Sequence, residues 1–191
     1  TGIAALNAGG VTIHSMFQLA PGGFVPDPSY APDLNNGVKI DSIASLSKTF
    51  KMSGTKQAVI KALDLLVIDE VSMLRADLLD AMDFVMRRVR RKEEPFGGVQ
   101  VLFIGDLLQL PPVVKNEEWH VLKNYYQGVF FFHAHVVLKI KPLYISLKKI
   151  FRQSDDRFIG VLNNLRNNVI KDEDMEVLSK YVKPDFDLHA H

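Results

Sequence analysis

Apolar residues in this chain gather in short runs that stop abruptly on polar groups, and helical periodicity fills the stretches between them. Residues 63–69, Leu-Asp-Leu-Leu-Val-Ile-Asp, form a mostly apolar run that ends at Asp69-Glu70, a pattern that predicts a strand buried on both faces. A second run, Val99-Gln100-Val101-Leu102-Phe103-Ile104, ends the same way at Gly105-Asp106. A third, residues 143–150, runs into Phe151-Arg152-Gln153. Such runs predict parallel strands whose carboxyl ends face one crevice, where open α/β sheets bind ligands.

Between the first two runs, Leu74, Leu78, Met82 with Ala81, Val85 and Val89 recur at three- and four-residue spacing. They predict a helix that carries Asp77, Asp80 and Asp83 on its other faces. Strand, helix and strand within about 45 residues make a right-handed crossover unit. Further helices are predicted over residues 116–126, 155–167 and 172–182, the last two behind acidic or hydroxyl caps. Residues 20–53 break the pattern: Pro21-Gly22-Gly23, Pro26, Pro28, Pro32 and Asn35-Asn36-Gly37 read as a surface excursion of the functional or mobile kind.

Composition narrows the class. The 191 residues carry 23 Lys plus Arg against 22 Asp plus Glu and no Cys, which describes one globular domain with an appended piece. A domain of this size buries roughly 70% of the surface its unfolded chain exposes, so it needs no staple. Without Cys there is no disulfide framework, thiolate zinc site or cysteine nucleophile. Near-zero net charge excludes a histone-like polycation or an acidic tail, while leaving room for a local phosphate-binding patch. No apolar run approaches the roughly 20 residues that span a bilayer, and the start does not read as a signal peptide. A cytosolic or nucleoid setting is therefore expected. The chain opens at Thr1 in the middle of a pattern and reads as a fragment.

The chemistry concentrates at the ends of the first two runs. Four apolar residues followed by Asp69-Glu70 are what nucleotide hydrolysis requires: one carboxylate holds magnesium, usually through water, and the next orients or deprotonates the attacking water. A buried strand ending in an acid is common on its own. The second run adds Gly105-Asp106-Leu107-Leu108-Gln109-Leu110-Pro111-Pro112, where Gln109 is placed to reach a terminal phosphate and its water and Gly105 lets the backbone pass close to a ligand. A bland turn explains the prolines but not the Asp and Gln.

Six segments in order carry a family resemblance: Thr1-Gly2-Ile3-Ala4-Ala5, residues 9–17 (Gly-Gly-Val-Thr-Ile-His-Ser-Met-Phe), residues 68–73 (Ile-Asp-Glu-Val-Ser-Met), Pro95-Phe96-Gly97-Gly98, residues 105–112 and Phe151-Arg152-Gln153. In this order and spacing the chain resembles the Pif-one and RecD-like DNA helicases of superfamily one. The resemblance implies an α/β, RecA-like P-loop NTPase domain with a mostly parallel sheet flanked by helices, truncated at both ends. It implies a first motor domain over residues 1–153, with 20–53 as an inserted wedge-like element, and the start of a second motor domain over 154–191. It implies ATP and Mg2+ as cofactors. Asp69 would serve the magnesium ion, Glu70 would activate water, Gln109 would sense the γ-phosphate, Asp106 would line the nucleotide site, and Arg152 would be an arginine finger. The alternative for Arg152 is a solvated cation beside Lys148 and Lys149.

Thr1, Thr12, His14 and Ser15 offer hydroxyls, an imidazole and helix N-terminal amides that suit phosphate contacts on single-stranded DNA. Phe96 beside Gly97 would support a base by stacking, and Pro111 lies on the same implied track. Each has a bland alternative: Thr12 as a cap, His14 as a structural histidine, Phe96 as a loop plug. The run Arg87-Arg88-Val89-Arg90-Arg91-Lys92 reads first as a solvated helix end that complements the helix dipole. Neither His133-Ala134-His135 nor His189-Ala190-His191 shows a third ligand, so neither is read as a metal site.

No Gly-x-x-x-x-Gly-Lys-Ser/Thr phosphate loop occurs in the chain. The nearest imitation, Ser53-Gly54-Thr55-Lys56-Gln57, reads as a helix start. The fragment alone is expected neither to bind ATP tightly nor to unwind DNA. In the complete protein the resemblance implies ATP-driven movement 5′ to 3′ on single-stranded DNA, unwinding of forked or structured DNA, and roles in replication, repair and telomere maintenance. A monomer is expected, away from membranes, at the nucleoid of a bacterium or in the nucleus or mitochondrion of a eukaryote. A DNA-dependent ATPase without unwinding and a catalytically dead nucleic-acid-binding module on the same scaffold are the rival readings.

Overall fold

Leu65–Ile68 and Gln100–Phe103 pair as parallel strands, Leu65 opposite Gln100 and Ile68 opposite Phe103. They are β3 and β4 of a computed structural model that describes residues 5, 9–31, 37–147, 149, 151 and 155–182. The connection between them is the expected helix, Ala76–Arg90. The described elements run α1 (Ile13–Phe17), β1 (Gly23–Val25), β2 (Ile40–Ser42), α2 (Ile43–Thr49), α3 (Gly54–Ala62), β3, α4 (Ala76–Arg90), β4, α5 (Asn116–Leu122), α6 (His135–Ile140), α7 (Asp156–Arg166) and α8 (Asp172–Ser179). Short 3-10 turns lie at Val71–Met73, Pro95–Gly98 and Phe131–His133. The chain divides into two compact units, Thr1–Leu143 and Tyr144–His191.

In the first unit α4 is the hub. Leu79, Met82, Val85 and Met86 on it are fully buried and pack into one core with Phe24, Val25, Ile60, Ile68 and Phe96. Its acids lie off the apolar stripe, as the periodicity predicts, and yet Asp77, Asp80 and Asp83 are all buried. Each accepts backbone N–H groups from a different segment: Asp77 from Phe24 at 3.0 Å, Asp80 from His135 and Val136 at 3.0 Å each, and Asp83 from Phe96 at 2.6 Å. A buried amide must find an acceptor, and these three carboxylates supply them to β1, to the start of α6 and to the Pro95–Gly98 turn. Burial pushes the Asp80 and Asp83 carboxyls above their ordinary range, with those amide bonds pulling the other way.

The described part of residues 20–53 holds regular elements where the sequence reads as a loop. Gly23–Val25 and Ile40–Ser42 form a second two-stranded parallel sheet, and Ser42 and Ser45 cap α2 reciprocally through side chain and backbone. Phe24, Val25, Ile40 and Leu46 from this segment enter the core. Arg75 fixes it further, donating to both carboxylate oxygens of Asp77 at 2.9 and 2.7 Å and to Glu118 at 2.6 Å.

Two strand expectations need correction. Among the described residues β3 and β4 are covered on one face: Leu66, Ile68, Val101 and Phe103 face the core, whereas Leu65, Val67, Leu102 and Ile104 are about half exposed. Residues 143–147 have no strand partner among the described residues, and Leu143 and Leu147 stand exposed; an apolar run becomes a strand only beside a partner that takes its backbone groups. Residues 148 and 150 lie outside the described set.

In the second unit, Asp155 caps α7 by accepting from Arg157 and Phe158. α8 begins behind Lys171 rather than an acid or hydroxyl, and Asp174 reaches back to the Lys171 N–H at 2.9 Å while accepting from Asn164 at 2.9 Å. Among the described residues no helix is long and apolar enough to cross a membrane.

Candidate active site

The parallel register brings the carboxyl ends of β3 and β4 side by side. Beyond Ile68 comes Asp69, exposed, and then Glu70, half-buried. Glu70 sits at φ 54° and ψ 44°, a left-handed conformation that costs a residue with a Cβ about 1–2 kcal/mol. Such a residue persists where its surroundings over-determine it. Here Asp69 Oδ1 accepts the Glu70 N–H at 2.9 Å, the Val71 N–H donates to the Ile104 carbonyl at 3.0 Å, and the Met73 N–H donates back to the Glu70 carbonyl at 3.2 Å. The Ile104 N–H in turn donates to the Ile68 carbonyl at 2.9 Å, so the ladder continues past both strands into the turn that carries Glu70.

On the β4 side, Asp106 Oδ1 accepts from the Leu108 N–H at 3.1 Å and the Asp106 carbonyl accepts from the Gln109 N–H at 3.0 Å. These two bonds make a closed turn that sets where Gln109 leaves the strand end. Gln109 and Pro111 are exposed, and Pro112 is buried. Asp69, Glu70, Asp106 and Gln109 thus come from two adjacent strand ends, as the sequence predicts. Gly105 differs from expectation in one respect: what passes close to it is the Val71 main chain, since a Cβ at 105 would lie 2.8 Å from Val71 N. Ser72, next in that turn, is buried with its hydroxyl lacking a hydrogen-bond partner among the described residues. Composition and periodicity single out neither Val71 nor Ser72; their closeness to the Gly105 backbone appears only once the two strand ends are side by side.

Phe96 and Gly97 fall elsewhere. Phe96 and Gly97 precede β4, so they lie at the opposite end of the sheet, about 13 Å along a four-residue strand. Phe96 is 1% exposed, holds φ 53°, and packs edge-on to Phe103 with ring centroids 6.4 Å apart. A ring so enclosed has no face to offer a base, so Phe96 is the loop plug and leaves the nucleic-acid set. Gly97 goes with it: it is buried against Arg90, whose Nε donates to the Gly97 carbonyl at 2.8 Å. Arg90 also closes the end of α3 through the Ile60, Lys61 and Leu63 carbonyls. Arg87 pairs with Asp83 at 2.9 Å, and Arg88 donates to Ser47, so much of this basic run is spent inside the unit.

Thr12, His14 and Ser15 are exposed on and before α1. Thr12 Oγ1 caps the helix by accepting the Ser15 N–H at 3.3 Å, and Lys56 Nζ donates to the Ser15 carbonyl, tying α1 to α3. Ser53 caps α3, as its sequence predicts. The His133 ring lies over Gly128, and His135 Nε2 is 3.0 Å from the Tyr125 carbonyl. Thr1, Arg152, His189 and His191 lie outside the described residues.

A magnesium ion held largely through water takes one or two carboxylates, with phosphate oxygens completing its shell. The exposed Asp69, steadied by the Glu70 amide on one oxygen, fits that need.

Comparisons with known proteins give the family and the fold. A family model described as PIF1-like helicase matches residues 33–176. The chain is 35% identical to the ATP-dependent DNA helicase PIF1 of Saccharomyces cerevisiae over 96% of its own length and 19% of that protein's. It is 33% identical to the human protein of the same name over 91% of its length and 23% of the relative's. The chain therefore spans about a fifth of the curated relatives it matches. Among solved structures it is similar to the Pif1 helicase from Bacteroides in complex with ADP-AlF3 and single-stranded DNA, at 41% identity and a TM-score of 0.81, covering 97% of this chain and 39% of that one. A Pif1 structure describing unwinding of forked duplex DNA by two coordinating helicases matches at 41% identity and TM-score 0.78, covering 97% of this chain and 41% of that one. The fold is accordingly theirs: α/β, RecA-like, with parallel strands flanked by helices.

Proposed function

The chain belongs to the PIF1-like helicase family, and from that premise we propose that it is part of the ATP-hydrolysing motor of a DNA helicase that moves 5′ to 3′ on single-stranded DNA. The observation that carries the reading is the pairing of two parallel strand ends, one delivering Asp69 and Glu70 and the other Asp106 and Gln109. A hydrolytic site needs a carboxylate for the metal, a base for the water and a polar group for the transferred phosphoryl, on rigid supports.

In this reading Asp69 holds magnesium and Glu70 takes the proton of the attacking water as oxygen adds to the γ-phosphorus. The bond to the bridging oxygen breaks and ADP leaves. Gln109 meets the γ-phosphate and that water, and Asp106 lines the site through its turn. Bound Mg2+ supplies charge neutralisation on the phosphate oxygens. Arg152 is assigned the arginine finger on the resemblance. Thr1, Thr12, His14, Ser15 and Pro111 are assigned to the DNA track, where backbone and hydroxyl contacts grip phosphate without reading sequence. The first motor domain is placed over 1–153 and the second from 154. The strand-separating element is assigned to residues 20–53 on the resemblance. Forked and structured DNA are the substrates, the working unit is a monomer, and the setting is the bacterial nucleoid or the eukaryotic nucleus or mitochondrion.

The test uses the complete natural chain, with ATP hydrolysis and strand displacement followed on a labelled fork bearing either a 5′ or a 3′ single-stranded tail. DNA-dependent hydrolysis with displacement from the 5′-tailed fork supports the reading. Hydrolysis without displacement points to a DNA-dependent ATPase, and DNA binding without hydrolysis to a dead module.

A further inference from the structure

We propose that Gly105 is a positioning residue for Glu70, acting through the main chain of Val71; this rests on the hydrolytic reading above. The left-handed Glu70 is followed by Val71, whose N–H donates to the Ile104 carbonyl. Gly105 follows that carbonyl and faces the same turn. A Cβ built on it would stand 2.8 Å from Val71 N, 3.0 Å from Val71 Cγ1 and 3.4 Å from Ser72 N. Two of these three atoms are backbone, which cannot rotate aside as the tip of a long side chain does.

Val71 and Ser72 are 4% and 1% exposed, so close packing behind them resists retreat. The part of the turn with room to move is Asp69-Glu70, at the surface. A methyl group at 105 therefore displaces the turn in the direction of Glu70. The absence of a side chain at 105 sets the separation between Glu70 and the β4 end that carries Asp106 and Gln109. It also makes Glu70 and Gln109 one rigid assembly, joined through the Val71 N–H to Ile104 carbonyl bond. A displacement near 1 Å between such groups costs on the order of 100-fold in rate.

In the complete natural chain, Gly105→Ala is expected to lower kcat for DNA-stimulated ATP hydrolysis by about 10- to 100-fold, with KM for ATP and Kd for single-stranded DNA within about twofold of wild type. The double variant Gly105→Ala/Val71→Ala, which removes the Cγ1 contact, is expected to recover part of kcat. A merely structural role would lower Tm while leaving kcat per folded molecule unchanged, and would overturn the proposal, as would a rise in KM with kcat intact. Should Gly105→Ala alone fail to fold, the double variant carries the test: kcat below wild type at constant KM is expected, because the Val71 N and Ser72 N contacts remain, and kcat equal to wild type overturns the proposal. A wild-type chain that hydrolyses no ATP removes the hydrolytic reading and leaves this geometry open to a separate readout. Amide exchange at Val71 is expected to speed up about tenfold or more in Gly105→Ala, and unchanged exchange overturns the inference.

Discussion

Replacing Asp77 by alanine removes the acceptor that joins β1 to the central helix. Two groups lose their partner: the Phe24 N–H, within a residue 4% exposed, and the Arg75 guanidinium, whose Nε and one terminal nitrogen bond both Asp77 oxygens. Burial works against the charge on Arg75, and the pairings with Asp77 and Glu118 more than restore it, raising its pKa overall. An orphaned buried amide costs about 1–3 kcal/mol, and breaking a buried ion pair from one side about 3–5 kcal/mol. The two overlap, and Arg75 keeps Glu118, so the low end of the second range, about 3 kcal/mol, is the working figure. For a unit of this size that corresponds to a fall in Tm of about 6–12 °C. Asp77→Asn keeps one acceptor oxygen and is expected to lose about half as much. Thermal unfolding gives the total, and amide exchange at Phe24 gives the location. A loss below about 1 kcal/mol, or a Phe24 amide as protected as in the wild type, would refute the account of α4 as the hub.

Ser72→Ala is expected to leave stability unchanged or raise it slightly in urea titration, because it deletes a buried hydroxyl that has no partner among the described residues; a loss above about 1 kcal/mol would show a bond to a further group. Asp83 has a second consequence, in pH. Its folded pKa is raised above the ordinary 3.8, first by burial, so the folded state binds the proton more tightly than the unfolded chain. Stability linked to Asp83 is greatest below that ordinary value and falls as pH climbs through the raised one. The difference in stability between Asp83→Asn and wild type should therefore shift in favour of the variant as pH rises from about 4, and a flat difference across a pH series would contradict this.

The sequence showed the helix between the two strands and the four polar residues at their ends because those features are local: periodicity and an abrupt change from apolar to acidic. It hid what depends on a partner. That Asp77, Asp80 and Asp83 are buried acceptors stays hidden because charge is visible in a sequence and the amides that seek it are not. Residues 20–53 look like a loop because three-residue strands carry no measurable alternation, although Ser42 and Ser45 were a readable cap. Phe96 between Pro95 and two glycines looks exposed, yet its N–H is taken by Asp83 and its ring fills the core beside Phe103. Leu65, Val67, Leu102 and Ile104 are as apolar as their buried neighbours, and composition alone does not reveal that their face is open.

The central claim is that the turn after β3 presents the group that activates water. Its most direct test is Glu70→Gln in the complete natural chain, with single-stranded-DNA-stimulated ATP hydrolysis measured beside nucleotide and DNA binding. Hydrolysis is expected to fall by about 10²- to 10⁴-fold, with both affinities retained, because the amide keeps the shape of the carboxylate and loses its basicity. Hydrolysis at the wild-type rate in that variant would contradict it and place the base elsewhere.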